Sequence, residues 1–196
     1  MDNPILALIA SFITMAFIVI SYFVRRKTLY LLYQMLGLAF LVVSYFFTMQ
    51  FFAMVGLGIA ILRVLTYYFL ERKGKNAPLY LAVIFTAMSV VAYLVVNLWI
   101  LKDAQPIDIL FLIATAFYAF IFRMRNLKAV RFWVLLPAGL SIVYNAVSSA
   151  AIFALLTYIF EFSADVVSIF KYHIIGERKS KSKNNKQEQQ EGEILK

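Results

Sequence analysis

The chain alternates long apolar runs with short polar breaks. Residues 5–24 are predominantly apolar and end at Arg25, Arg26 and Lys27. About twenty such residues cross ~30 Å of hydrocarbon at ~1.5 Å per residue, so the run predicts a transmembrane helix. The apolar stretch from Thr28 to Leu70 is too long for one crossing and fits two, with the turn near Thr48, Met49 and Gln50, the local polar cluster. A breaker rich in charge, with Gly74 inside it, follows from Glu71 to Asn76. Pro78 suits the first turn of a fourth span that runs to about Trp99. A polar loop, Lys102 to Asp108 with Pro106, leads to a short fifth span. Arg123, Arg125, Lys128 and Arg131 make the next basic loop. The sixth span holds Pro137 and Gly139, and Ser148-Ser149 is a minimal turn before the seventh. The predicted spans are 5–24, 28–47, 50–70, 78–99, 107–122, 132–147 and 150–172. The expected fold is an all-α membrane protein with one transmembrane domain, 1–175. Residues 176–196, rich in Lys, Glu, Gln, Asn and Ser, are expected to be a disordered tail.

Composition agrees with this pattern. Of 196 residues 63% are hydrophobic, and the mean hydropathy is +0.82, against roughly 45–50% apolar in an ordinary soluble domain. The expected solvent is therefore lipid. There is no cysteine, which excludes disulfides and thiolate metal sites. The net charge of +9 would suggest nucleic acid in a soluble chain. Here it is confined to loops and tail, the pattern of membrane topology. The first segment has no basic leader region and its apolar run is too long for a cleavable signal, so it is expected to be a span.

Loop charge sets an orientation. The connections after spans one, three and five, and the tail, are rich in Lys and Arg. The other connections carry almost none, Lys102 beside Asp103 excepted. The positive-inside rule then predicts the N-terminus outside and the C-terminus cytoplasmic. Trp99, Trp133, Tyr45, Tyr67, Tyr68 and Tyr172 fall near predicted interfaces and are expected to be belt anchors. The expected partners are the bilayer, with anionic lipid at the basic loops and the tail, and a small solute. Nucleic acid is not expected, and a homo-oligomer is left open.

The same charge pattern divides the chain into two triplets, spans one to three and five to seven, around a linker span. Ile9, Ala16 and Arg25 recur as Ile109, Ala116 and Arg125, and Leu36 and Val43 as Leu136 and Val143. With three spans and one linker, the two repeats share one membrane orientation, a parallel 3+1+3 duplication.

A resemblance comes with particular residues: the run Asp108 to Ile113, the Arg/Lys loop, Ile142-Val143-Tyr144-Asn145, and Asp165 to Tyr172 with Ser168 and Lys171. Together they resemble the YgjV family of bacterial inner-membrane proteins, over most of the chain before the tail. The resemblance implies a bacterial inner-membrane location and no established activity. It aligns Tyr144-Asn145 with an aromatic-or-His/Asn pair, and Arg63 with the arginine of an Asn-x-x-Arg whose asparagine is here Ala60. The 3+1+3 layout also resembles SWEET and PQ-loop carriers, in architecture alone: no Pro-Gln motif stands in the first or fifth span.

Candidate chemistry is confined to a few polar residues inside the spans. Counted from the basic helix ends, Asp165 lies ~9 Å deep, Arg63 ~11 Å and Glu161 ~15 Å. Each charge would cost at least ~2.5–3.5 kcal/mol unpaired. Pairing of Arg63 with Asp165, Glu161 or both is the economical arrangement. It would either form a substrate or proton site between the triplets or lock spans three and seven together. In a further alternative, Arg63 snorkels to lipid phosphates. Asn145 would line the same cavity or make an interhelical hydrogen bond; Gln34, Ser141 and Ser163 are weaker instances. Gly56 with Ala60 has small-xxx-small spacing, which favours close helix packing. Pro137 and Gly139 would kink span six. His173 is expected at the headgroups, and one histidine with scattered acids makes no metal site. No nucleophile–base set, phosphate loop or zinc-protease pattern is readable, so neither an enzyme nor a cofactor is expected. The sequence thus points to a small-solute carrier whose substrate-binding residues are Arg63, Asn145, Glu161, Asp165 and Ser168. The alternative is a non-transporting scaffold, receptor or assembly factor whose buried charges only pack helices.

Overall fold

The computed structural model describes residues 4–49, 51–100, 105–148 and 152–171, and these are all-helical. Seven α-helices follow in order: α1 (Pro4–Phe23), α2 (Lys27–Phe47), α3 (Phe51–Arg72), α4 (Leu79–Tyr93), α5 (Asp108–Ile121), α6 (Leu127–Ser148) and α7 (Ile152–Ile169). A π-helical stretch, Leu94–Ile100, continues α4. Five segments are long and apolar enough to cross a membrane: Ile5–Phe23, Lys27–Phe47, Ala53–Arg72, Leu79–Val96 and Leu127–Val147. Asp108–Ile121 is a shorter apolar helix. The protein therefore has the build of a multi-pass membrane protein. His173 and the tail lie outside the described residues.

Local sequence explains several helix ends. α3 stops at Gly74, whose φ of +67° is open to glycine. The Lys75 N–H returns to the Leu70 carbonyl at 2.9 Å and the Gly74 N–H to that of Glu71 at 3.0 Å, the paired bonds of a Schellman cap. The turn between α2 and α3 is tighter: Met49 takes a φ of +57°, and the Thr48 hydroxyl donates to the Ser44 and Tyr45 carbonyls. α6 starts at Leu127, ahead of the 132 expected from the last basic residue. The reason is Asn126, whose Oδ1 accepts the Lys128 N–H at 3.0 Å and caps the helix. Lys128 and Arg131 thus belong to the helix rather than to a loop. α6 continues through Pro137 as one helix.

Packing begins with α1 on α2, held by polar rungs. Ser11 and Ser44 share a 2.7 Å hydroxyl contact, Thr14 donates to the Gly37 carbonyl, and Gln34 donates to Ser21 at 3.0 Å. A Cβ on Gly37 would stand 2.8 Å from Ile18, so glycine permits this approach. α2 packs on α3, α5 on α6 and α6 on α7; α1 touches α7, and α3 touches α5. α4 lies against α3 and α5. The connections after α1, α3 and α5 meet at one end of the bundle. There Lys27 pairs with Glu71 at 2.9 Å, Arg123 donates to the Ala77 carbonyl, and Arg131 donates to the Val24 carbonyl at 2.6 Å.

The small-residue face of α3 offers a direct test. A Cβ on Gly56 would come 2.7 Å from the Phe111 ring, whereas one on Gly58 meets nothing within 4 Å. Phe111 is buried and packed against Tyr144, so it has little room to yield. Gly56→Ala is expected to lose about 1–3 kcal/mol through overpacking. Gly58→Ala should be neutral or gain the ~0.5–1 kcal/mol of helix propensity. Thermal unfolding in detergent distinguishes the two; equal effects would show that α3 and α5 are not in close contact here.

Candidate functional site

Two of the buried charged residues, Arg63 and Glu161, line one cavity. It has a volume of ≈ 40 Å³, which at the ~10–15 Å³ needed per water admits about three waters. Its walls come from α1, α2, α3, α5, α6 and α7, and none from α4. Arg63 and Glu161 both line it, with Gln34, Thr115, Ser141 and Tyr158 as further polar wall. One apolar cluster, around Tyr30, Val64, Tyr67, Phe122 and Val134, packs against it. A second, around Leu41, Tyr45, Leu57 and Tyr158, adjoins it elsewhere.

Arg63 does not pair with an acid. Its Nη1 donates to the Thr115 carbonyl at 2.6 Å. Its Cζ lies 5.9 Å from the ring centroids of both Tyr118 and Phe122, within cation–π range. One turn further along α3, the Tyr67 hydroxyl donates to the Ala119 carbonyl at 2.8 Å. These two bonds, a turn apart on both helices, tie α3 to α5. At 2% exposure Arg63 does not snorkel either. The expected ion pair is replaced because helix carbonyls can accept a second hydrogen bond and aromatic faces supply the remaining stabilisation.

Glu161 is satisfied by tyrosines instead. Tyr22 donates to its Oε1 at 2.8 Å and Tyr118 at 3.4 Å; its Oε2 accepts no hydrogen bond. Tyr118 therefore links the two charges, with its ring beside Arg63 and its hydroxyl on Glu161. Asp165, one turn on, is fully buried with neither carboxylate oxygen bonded.

The remaining candidates lie off the cavity wall. Asn145 accepts from Tyr45 at 3.0 Å and donates to the Ser141 carbonyl at 2.7 Å, which joins α2 to α6. Ser168 donates to the Tyr22 carbonyl at 3.0 Å, which joins α7 to α1. Ser163 is exposed and bonds back to Ile159 of its own helix. Tyr45 and Tyr67, expected as belt anchors, are 1% exposed and work as interhelical donors. Trp99, 82% exposed, and Trp133 do face outward; Tyr172 lies outside the described residues. Tyr22, Tyr118 and Tyr158 were not anticipated. Their signal is a hydroxyl placed inside an apolar run, where only a buried acceptor can serve it.

No protein-family model, curated protein or solved structure matches the chain.

Proposed function

We propose that the protein is a small-solute carrier of the cell membrane, with its site in the cavity bounded by Arg63 and Glu161. The observation that carries this reading is the composition of the walls: six helices surround the cavity, α4 contributes nothing, and two opposite charges face it without pairing. A scaffold has no need of an unpaired arginine and carboxyl around a void. The carrier reading takes α1–α3 and α5–α7 as parallel repeats and α4 as linker. The contact of α1 with α7 then mirrors that of α5 with α3. The hydrogen bond from Tyr45 to Asn145 joins positions one repeat apart, by the same offset that relates Arg25 to Arg125. The gathering of the basic connections at one end supports a cytoplasmic assignment for that end and an external N-terminus. The resemblance to the YgjV family extends the proposal to a bacterial inner membrane, with anionic lipid at the basic face.

Water access decides between carrier and scaffold, and the absence of cysteine makes it easy to measure. Single-cysteine variants at the cavity (Ser141→Cys) and at a sealed control site (Ala82→Cys) are treated in lipid vesicles with a small water-soluble thiosulfonate. A carrier site that opens to water is expected to react roughly tenfold faster or more, since the reactive thiolate forms only where water reaches it. Equal, slow reaction at both positions would make the charges structural.

A further inference from the structure

Asp165 has a different environment from every other acid in the bundle. It is 0% exposed, and Oδ1 and Oδ2 both lack a hydrogen-bond partner. The ionisable groups around it come from four helices: Tyr22 on α1, Tyr30 on α2, Arg131 on α6 and Glu161 on α7. None of them bonds to it. The Tyr22 hydroxyl is given to Glu161, and Arg131 Nη2 is given to the Val24 carbonyl. The Tyr30 hydroxyl, also 0% exposed, makes no hydrogen bond within 3.5 Å and lies beside that of Tyr22. Two polar groups from different helices, Asp165 and Tyr30, are thus buried without a hydrogen bond. A permanently ionised carboxylate would be expected to draw in whichever of these donors can move, because an unpaired buried charge is among the costliest groups a protein can hold. A carboxyl that gains and loses a proton has no such fixed demand.

The groups facing Glu161 complete the arrangement. They are Tyr22 on α1, Tyr118 on α5, Tyr158 and Asp165 on its own helix, and Arg63 across the cavity. Asp165 lies one helical turn, ~6 Å, from Glu161 along α7, on the side of Lys171. The two acids therefore form a step between the basic end of the bundle and the cavity, with Tyr22 bonded to the inner one.

We propose that Asp165 is a proton-binding site inside the bundle, one helical turn from the cavity acid Glu161, and that its loading and release couple a proton to movement of the solute. Asp165 takes a proton from water at the basic end. Loading forms an O–H bond on the Asp165 carboxylate as one O–H bond of a hydronium ion breaks, and release to water reverses the exchange. Coupling to a solute rests on the carrier reading; the proton site does not.

Infrared spectroscopy of the full-length protein in lipid, with aspartate labelled at the carboxyl carbon with carbon-13, tests the site without any substrate. At neutral pH the wild type is expected to show the carbonyl stretch of a protonated, labelled carboxylic acid. That band should be lost in Asp165→Asn, kept in Glu161→Gln, and shifted promptly on transfer to D2O. Only ionised aspartate bands would overturn the proposal. So would a band that persists unshifted in D2O, since an acid sealed from water cannot load protons. An exchanging band together with an unreactive Ser141→Cys would sink the carrier reading and leave the proton site standing. A reactive Ser141→Cys without the band would do the reverse.

Discussion

Asp165→Val should unfold at a higher temperature than the wild-type protein. The substitution removes two buried oxygens that bond to nothing and puts an apolar group of similar size in their place. Replacing buried ionisable groups by well-packed hydrophobic ones stabilises proteins by about 1–4 kcal/mol, and a neutral carboxyl without partners still carries a desolvation penalty of ~1–3 kcal/mol. A gain on the order of 1–3 kcal/mol is therefore expected. It is measured by thermal unfolding in detergent followed by circular dichroism. A loss of stability would mean that the Asp165 carboxyl is bonded after all, through water or by a rearranged Arg131 or Tyr30. A sequence that keeps a group against its own stability keeps it for use, so the gain should come with loss of transport.

The other carboxylate is expected to behave in the opposite way. Glu161→Leu leaves the Tyr22 hydroxyl without an acceptor and deprives Tyr118 of a weaker one. A buried donor left unsatisfied costs about 1–3 kcal/mol. Glu161→Gln keeps an oxygen at the same place and should retain both bonds. The leucine variant is thus expected to be less stable than the glutamine variant by about 1–3 kcal/mol, the loss residing mainly in the 2.8 Å bond. In the double variant Tyr22→Phe with Glu161→Leu, most of that difference should vanish, because the Tyr22 hydroxyl is no longer there to be orphaned. If the leucine variant matched the glutamine one in the Tyr22 background, the tyrosine contact would be incidental. Two acids a turn apart would then differ in what replaces them best: an apolar residue at 165, a polar isostere at 161.

Much of the architecture was legible because lipid leaves few options. Backbone groups in hydrocarbon must be bonded within the segment, so runs such as 5–24 and 28–47 read directly as helices. The Gly74 breaker was legible as well, whereas the start of α6 was not: the basic residues up to Arg131 read as loop, and the cap at Asn126 is seen only in the structure. The partners of the charges were not legible. Arg63 was assigned to the acids because charge pairs with charge in a one-dimensional reading. In three dimensions the α5 backbone and two ring faces lie nearer, and neither leaves a mark in the sequence. Asn145 and Ser168 read as site residues by type alone; their separation from the cavity depends on which way α6 and α7 are rotated. Small shifts in rotation decide such matters, and an all-round apolar helix has little amphipathic bias to fix them.

The bond from Tyr22 to Glu161 spans 139 residues, and its direction bears on biogenesis. The donor belongs to α1, which is synthesised well before α7, the helix of the acceptor. α7, with its two carboxylates, is not among the five segments long and apolar enough to cross a membrane, so it gains most from a partner in the bundle. By the time it is made α1 and α2 are able to pair through Ser11, Thr14 and Gln34, and Tyr22 stands ready at the seam between α1 and α7. The helix that gains most from a partner arrives where one is already waiting, and the bundle closes around its two carboxylates.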